Sequence, residues 1–397
     1  MCDLHLRITE MKIIDVRTHV LEAPLSQSLG HSFGTSATRS ACLVEIETDN
    51  GLIGWGECLG PAGINAATVR AFGTYLLGAD PCATEAIWQT IYNQFRDRGQ
   101  KGIIIAALSG VDIALWDIRG KAQGVPIYRL MGGPLRTRVQ AYASGGFRLD
   151  HGDPFDYTIR EVKEYAAQGF SGIKIKVGRD VREDAELVKA VRQAIGPSRK
   201  LMIDANHGYD TIEAIALGRQ IADQNIEWFE EPVVPEDLAS YREVKMAQPI
   251  PIAGGECEYT RWGFLNALTS RSIDILQPDT CAAGGLSECK KIADMATAFG
   301  VRYVPHVWGT GIGLAAALQL LAVLPDNPPR INPCEPLLEF DRTEHAFRQA
   351  ILTHPLEHES GWVQIPSGPG LGIEINSDTI KEFSKTSTTG SPLQSSY

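Results

Sequence analysis

Apolar and polar positions alternate in two different rhythms along the chain, and the rhythm changes near residue 139. Before that point, residues 12–21 and 41–48 carry strand-like patterns. Asn50-Gly51, between residues 43–48 and 52–55, is a strong hairpin turn signal. Residues 66–77, 83–96 and 102–123 then repeat apolar positions every three or four residues and predict helices, the last ending at Gly124. Residues 11–130 therefore read as an α+β domain.

From residue 139 onward, short apolar runs alternate with helical stretches. The runs cover 139–144, 173–177, 201–206, 226–232, 250–255, 273–279, 301–307 and, less sharply, 330–334. Each interval has room for one helix and two loops, so parallel βαβ units are expected. Eight of them close naturally into a barrel, here spanning 131–365. The alternative, an open doubly wound sheet, lacks a GxGxxG phosphate turn. A Gly/Pro turn cluster follows, and residues 366–383 are expected to return to the first domain. The Ser/Thr-rich stretch 384–397 reads as a disordered tail.

Composition narrows the function classes. Across 397 residues, 37 Lys plus Arg stand against 48 Asp plus Glu, so 37 − 48 gives −11. An acidic balance with no long basic run argues against nucleic acid, whose phosphates demand cations. No apolar stretch is long enough to span a bilayer, and residues 1–10 lack a signal-peptide core, so a cytoplasmic protein is expected. The eight cysteines form no CxxC pair and are expected to be buried free thiols.

In a barrel, reactive groups sit at the carboxyl ends of the strands. Asp204, Glu230 and Glu256 fall at three successive strand ends, 26 residues apart each time. One acidic residue there could be a helix N-cap; three in succession would repel unless a hard divalent cation, most simply Mg²⁺, neutralised them. Lys174 and Lys176 share one face of the preceding strand. Burial and mutual repulsion would lower an amine toward neutral pH and let it act as a base. Asp279 and His306 end neighbouring strands, so the carboxylate could orient the imidazole as a second acid/base. Asn206 and His207 at the third strand end, and His31 in a loop at residues 26–39, are candidate substrate contacts. So is Glu335, just after the eighth run. A base on each side of a cation suits removal of a proton next to a carboxylate. No GxSxG elbow supports a nucleophilic hydrolase.

These residues carry a family resemblance. KIK at 174–176, MIDANHGY at 202–209, WFEEP at 228–232, GGE at 254–256, QPD at 277–279 and PHVWG at 305–309 resemble the mandelate racemase subgroup of the enolase superfamily. The likeness spans nearly the whole chain, including ALSGVDIALWDIRGK at 107–121. It implies a (β/α)7β TIM-like barrel with an N-terminal α+β capping domain. It also implies Mg²⁺ on Asp204, Glu230 and Glu256, Lys176 as a base tuned by Lys174, and the Asp279/His306 pair as the opposite acid/base. Glu335 would contact the substrate carboxylate. GWGECLGP at 54–61 and EPLLEFDRT at 335–343 resemble members that open a hexaric acid lactone. Acid-sugar dehydration, then racemisation or epimerisation, are the alternatives on the same site. A non-catalytic metal- or sugar-binding barrel would have no reason to keep acid/base groups on both faces. The expected partners are a small-molecule carboxylate substrate and further copies of the chain in a homo-oligomer.

Overall fold

The computed structural model describes residues 11–149 and 153–387. An N-terminal antiparallel sheet is built from β1 (Ile13–His31), β2 (Gly34–Thr48) and β3 (Ile53–Cys58). Asn50-Gly51 makes the turn into β3, with Gly51 at φ 83°. Residues 26–39 are not the loop expected from sequence. Strands β1 and β2 continue through them with a register shift between Pro24 and Leu29, and the hairpin turns only after His31. Proline removes a ladder donor and local alternation is weak there, so pairing with the opposite strand decides the conformation.

The helix Ile103–Gln123 packs across this sheet and stops at Gly124, which is left-handed at φ 67°. Its approach is close. A β-carbon on Gly56 would lie 1.9 Å from the Gly110 carbonyl oxygen, so only glycine fits in β3 there.

The second unit is the barrel. Its parallel strands are β4 (Arg138–Ser144), β5 (Gly172–Lys176), β6 (Lys200–Asp204), β7 (Ile226–Glu230), β8 (Ile252–Gly254), β9 (Ile275–Leu276) and β10 (Arg302–Tyr303), paired in that order. An eighth, β11 (Leu337–Asp341), pairs in parallel with β4. The sequence placed this strand at 330–334, and the structure corrects it. Pro328, Pro329, Pro333 and Pro336 deny that stretch ladder donors, and Ile331 is fully exposed.

Period-two geometry stacks two layers inside the barrel. Tyr142, Met202, Trp228, Ala253, Ile275, Val304 and Leu337 form a buried apolar plug. Gly172 is the β5 member of that layer, because a β-carbon there would press at 3.0 Å on Tyr142 and Met202. Two residues further along, the strands present Lys174, Asp204, Glu230, His306 and Glu339, all buried.

Buried carboxylates fasten the N-terminal unit over the barrel mouth. Glu57 accepts from the Thr310 and Gly313 N–H groups at 2.9 Å, at the N-terminus of the helix Gly311–Leu321. Asp112 accepts from Ser287 N–H at 2.9 Å, in the first turn of the helix Gly285–Phe299. Both exploit the unpaired donors and positive end of a helix. Asp117 accepts from Leu371 N–H, and β12 (Ser384–Ser387) pairs with β1, so the C-terminal chain returns to the first unit.

Residues 384–387 are thus strand rather than the expected tail; residues 388–397 and 1–10 lie outside those described. Among the described cysteines none is disulfide-bonded, and Cys82, Cys257 and Cys334 are partly exposed where burial was expected. No helix among the described residues is long and apolar enough to cross a membrane.

Gly56→Ala is expected to lower stability by at least about 1–3 kcal/mol, the usual range for overpacking, since the obstacle is backbone. Urea unfolding followed by circular dichroism measures this; an unchanged midpoint would refute the close-approach argument.

Candidate active site

A cavity of about 400 Å³ lies between the β1–β2 hairpin and the strand ends. His31, Phe33 and Arg39 line it from the hairpin, and Lys174, Lys176, Asn206, His207, Glu256, His306 and Glu339 from the barrel.

Asp204, Glu230 and Glu256 converge there, each offering an oxygen within 4.8 Å of the others. Three carboxylates this close fit a hard divalent cation. The lysines answer the charge directly. Lys174 Nζ lies 2.5 Å from Glu230 and 2.8 Å from Glu339, and Lys176 Nζ lies 2.5 Å from Asp204. Burial favours the neutral amines, yet these carboxylates outweigh it and both amines are raised above the ordinary lysine range. That direction is opposite to the sequence-based expectation, because the adjacent anions together outweigh burial and the neighbouring lysine. A cation held by these carboxylates would weaken that pull. Glu230 is lifted to about 7 by burial, although Lys174 opposes the shift. Trp228 and Gln277 also donate to Glu230, at 2.9 and 2.7 Å.

His306 is held from both nitrogens. Nδ1 is 2.6 Å from Asp279 and Nε2 is 3.5 Å from Glu256. Burial pulls the imidazole down, but Glu256 and then the Asp279 hydrogen bond push it up to about 10. Asn206 donates its backbone N–H to Asp204 at 2.9 Å, and its side-chain oxygen has no partner among the described residues. His207 stacks at 5.8 Å on Phe33, whose edge meets His31.

The structure does not bring Glu335 to this cavity. It lines a small pocket with Glu227, Arg302 and Tyr303, at the opposite end of the strands. Glu339 takes the place assigned to it, accepting from Val307 N–H at 3.0 Å and facing Lys174. The misplacement follows from the misplaced eighth strand. LLEFD held the missed signal, since Leu337 and Glu339 must share a face of any strand there.

Other residues emerged only in three dimensions. Arg39 sits 4.1 Å over the Trp308 ring and donates to the Glu344 carbonyl, while Phe147 lies beside Lys176. Glu57, also on the cavity wall, is lifted to about 7 by burial despite its helix donors. Nothing in the spacing of a lone Arg39 marks it.

Comparison with known proteins agrees with this geometry. Residues 9–132 match the mandelate racemase / muconate lactonizing enzyme N-terminal domain, and residues 158–379 the enolase C-terminal domain-like family. The chain belongs to the enolase superfamily, in its mandelate racemase / muconate lactonizing enzyme group. It is 54% identical over 373 residues to a D-galactarolactone cycloisomerase of Agrobacterium fabrum, covering 94% of this chain and 99% of that one. The crystal structure of the 3,6-anhydro-D-galactonate cycloisomerase from Zobellia galactanivorans superposes with a TM-score of 0.86 at 38% identity, covering 94% and 100%. A racemase from Streptomyces coelicolor with bound magnesium superposes at 0.84 with 30% identity, covering 94% and 99%. The fold is accordingly a TIM barrel with an N-terminal capping domain, and the chain is an enzyme.

In metal-free protein, His306 is expected to titrate well above the ordinary histidine range. Asp279→Asn should lower it by at least about one unit, as loss of an adjacent charge does. Histidine ¹⁵N NMR across a pH series measures both; an unmoved imidazole would show that Asp279 does not set its charge.

Proposed function

We propose that the enzyme opens the lactone of a hexaric acid, such as a galactarolactone, to a 3-deoxy-2-keto-hexarate. The supporting observation is the 54% identity to the Agrobacterium cycloisomerase, joined to acid/base groups that flank a carboxylate cluster from separate strands.

The substrate's free carboxylate enters beside Lys174. One of Lys176 and His306 removes the proton from the adjacent carbon. The electron pair forms a carbon–carbon double bond, and the bond from the β-carbon to the ring oxygen breaks. The oxygen leaves as a carboxylate, and the resulting enol takes a proton at the β-carbon to give the keto acid. Because a carboxylate is a good leaving group, ring opening asks less of a general acid than expelling hydroxide would. The configuration of the α-carbon selects which of Lys176 and His306 takes the proton.

Asp204, Glu230 and Glu256 would hold a divalent cation, most simply Mg²⁺, which when bound would supply positive charge to offset that gathering on the substrate carboxylate. Lys174, held by Glu230 and Glu339, adds fixed positive charge at the same place. Glu339 is a positioning residue, tying Lys174 to the Val307 backbone beside His306. Arg39 and Trp308 close the far wall, where the lactone ring would sit. Asn206, His207 and His31 are substrate contacts in this reading.

Incubation with Mg²⁺ and hexaric acid lactones in D₂O, followed by NMR, tests the proposal. Keto acid should form from a lactone. Keto acid from the open-chain acid alone would make the enzyme a dehydratase, and an inverted centre without ring opening a racemase. Replacing the base, by Lys176→Met or His306→Asn, should remove α-proton exchange together with turnover.

Glu339→Gln is expected to lower kcat at least about tenfold, the scale of a lost charge-assisted contact. Glu335→Gln should leave kcat and KM unchanged. Steady-state kinetics on the pair separates the two glutamates; the reverse order would restore Glu335 to the site.

A further inference from the structure

A second group of metal-ligating side chains lies beside the first. The strand ends that bear Asp204, Glu230 and Glu256 also bear His207, Glu231 and Cys257. One nitrogen, oxygen or sulfur from each lies within 4.8 Å of the other two. His207 Nε2 is the centre of the group, 3.2 Å from Glu231 Oε2 and 3.5 Å from Cys257 Sγ.

Glu231 is the unusual member. It is 1% exposed, and neither carboxylate oxygen accepts a hydrogen bond of good geometry among the described residues. Buried carboxyls are ordinarily satisfied, so one that is not asks for a missing partner. The backbone is bent to present it. Glu231 is at φ 43° and His207 at φ 63°, left-handed conformations that non-glycine residues rarely adopt. These bends break the strand alternation that would carry residue 231 to the face opposite Glu230.

We propose that His207, Glu231 and Cys257 form a second cation site, for a borderline-soft divalent metal such as Zn²⁺, next to the all-carboxylate site. Imidazole, thiolate and carboxylate are the ligands zinc takes, whereas Mg²⁺ prefers oxygen alone. Three protein ligands leave a fourth tetrahedral position. His207 and Cys257 both line the cavity, so that position opens toward water or a substrate hydroxyl. Binding releases the Cys257 thiol proton, and any proton on Glu231, to solvent.

The full chain, with and without saturating Mg²⁺, is titrated with Zn²⁺ and separately with Co²⁺. One Zn²⁺ per chain should bind without expelling Mg²⁺, measured by equilibrium dialysis and elemental analysis. Co²⁺ should give a thiolate-to-metal charge-transfer band, which is independent of turnover. Cys257→Ser should abolish the band and weaken Zn²⁺ at least about tenfold while Mg²⁺ affinity is unchanged. On the unmutated chain, Zn²⁺ should block alkylation of Cys257 but not of Cys82, read by mass spectrometry. Zn²⁺ that only displaces Mg²⁺ one for one, a Co²⁺ spectrum without the thiolate band, or unprotected Cys257 overturns the proposal.

Discussion

Charge compensation in a buried layer is the constraint on which the rest of this structure depends. Asp204, Glu230 and Glu339 are essentially inaccessible, and so is Lys174. Isolated ions at such depth are strongly disfavoured, so each must find an opposite charge or change protonation state. The lysines fill that need in the arrangement seen here, and a divalent cation fills it in the working enzyme proposed above. The same demand raises the amines in the first case and frees them in the second. On that proposal, reactivity at this mouth would be set by how the anions are shared between lysines and metal.

The layer beneath makes that balance rigid. Trp228 fills the barrel and donates to Glu230, and Gly172 leaves room for Tyr142 and Met202. Side chains on such a floor have few alternative rotamers, which suits a site whose geometry must be ready before the substrate arrives. The capping domain completes the enclosure by related physics. Glu57 and Asp112 are carboxylates buried against the N-termini of barrel helices, and this fixes the β1–β2 hairpin above the strand ends. The hairpin contributes Arg39 and Phe33 to the cavity wall, so that wall comes from a different domain from the lysines, His306 and carboxylates at the strand ends.

The alternation of strands and helices, the two lysines on one strand face and the carboxylate at each of three strand ends were all legible in the sequence. Each depends on local periodicity, which survives without knowledge of what packs where. The eighth strand was not legible in the same way. Apolar character in 330–334 is cancelled by proline, a backbone property, and the true strand is recognisable only by its pairing with β4. The error carried the substrate-side glutamate to the wrong end of the barrel.

Sequence alone determined the fold class and the carboxylate, lysine and histidine set, because period and spacing encode which residues share a face and an end; the family was legible only through the resemblance of its motifs. Tertiary structure decided that Glu339 rather than Glu335 reaches the cavity. It decided that residues 26–39 are paired strands and that the lysines are raised by their anionic neighbours. It also placed His207, Glu231 and Cys257 together. These outcomes depend on distances between segments far apart in the chain, and electrostatic and hydrogen-bonding energies follow distance rather than sequence order.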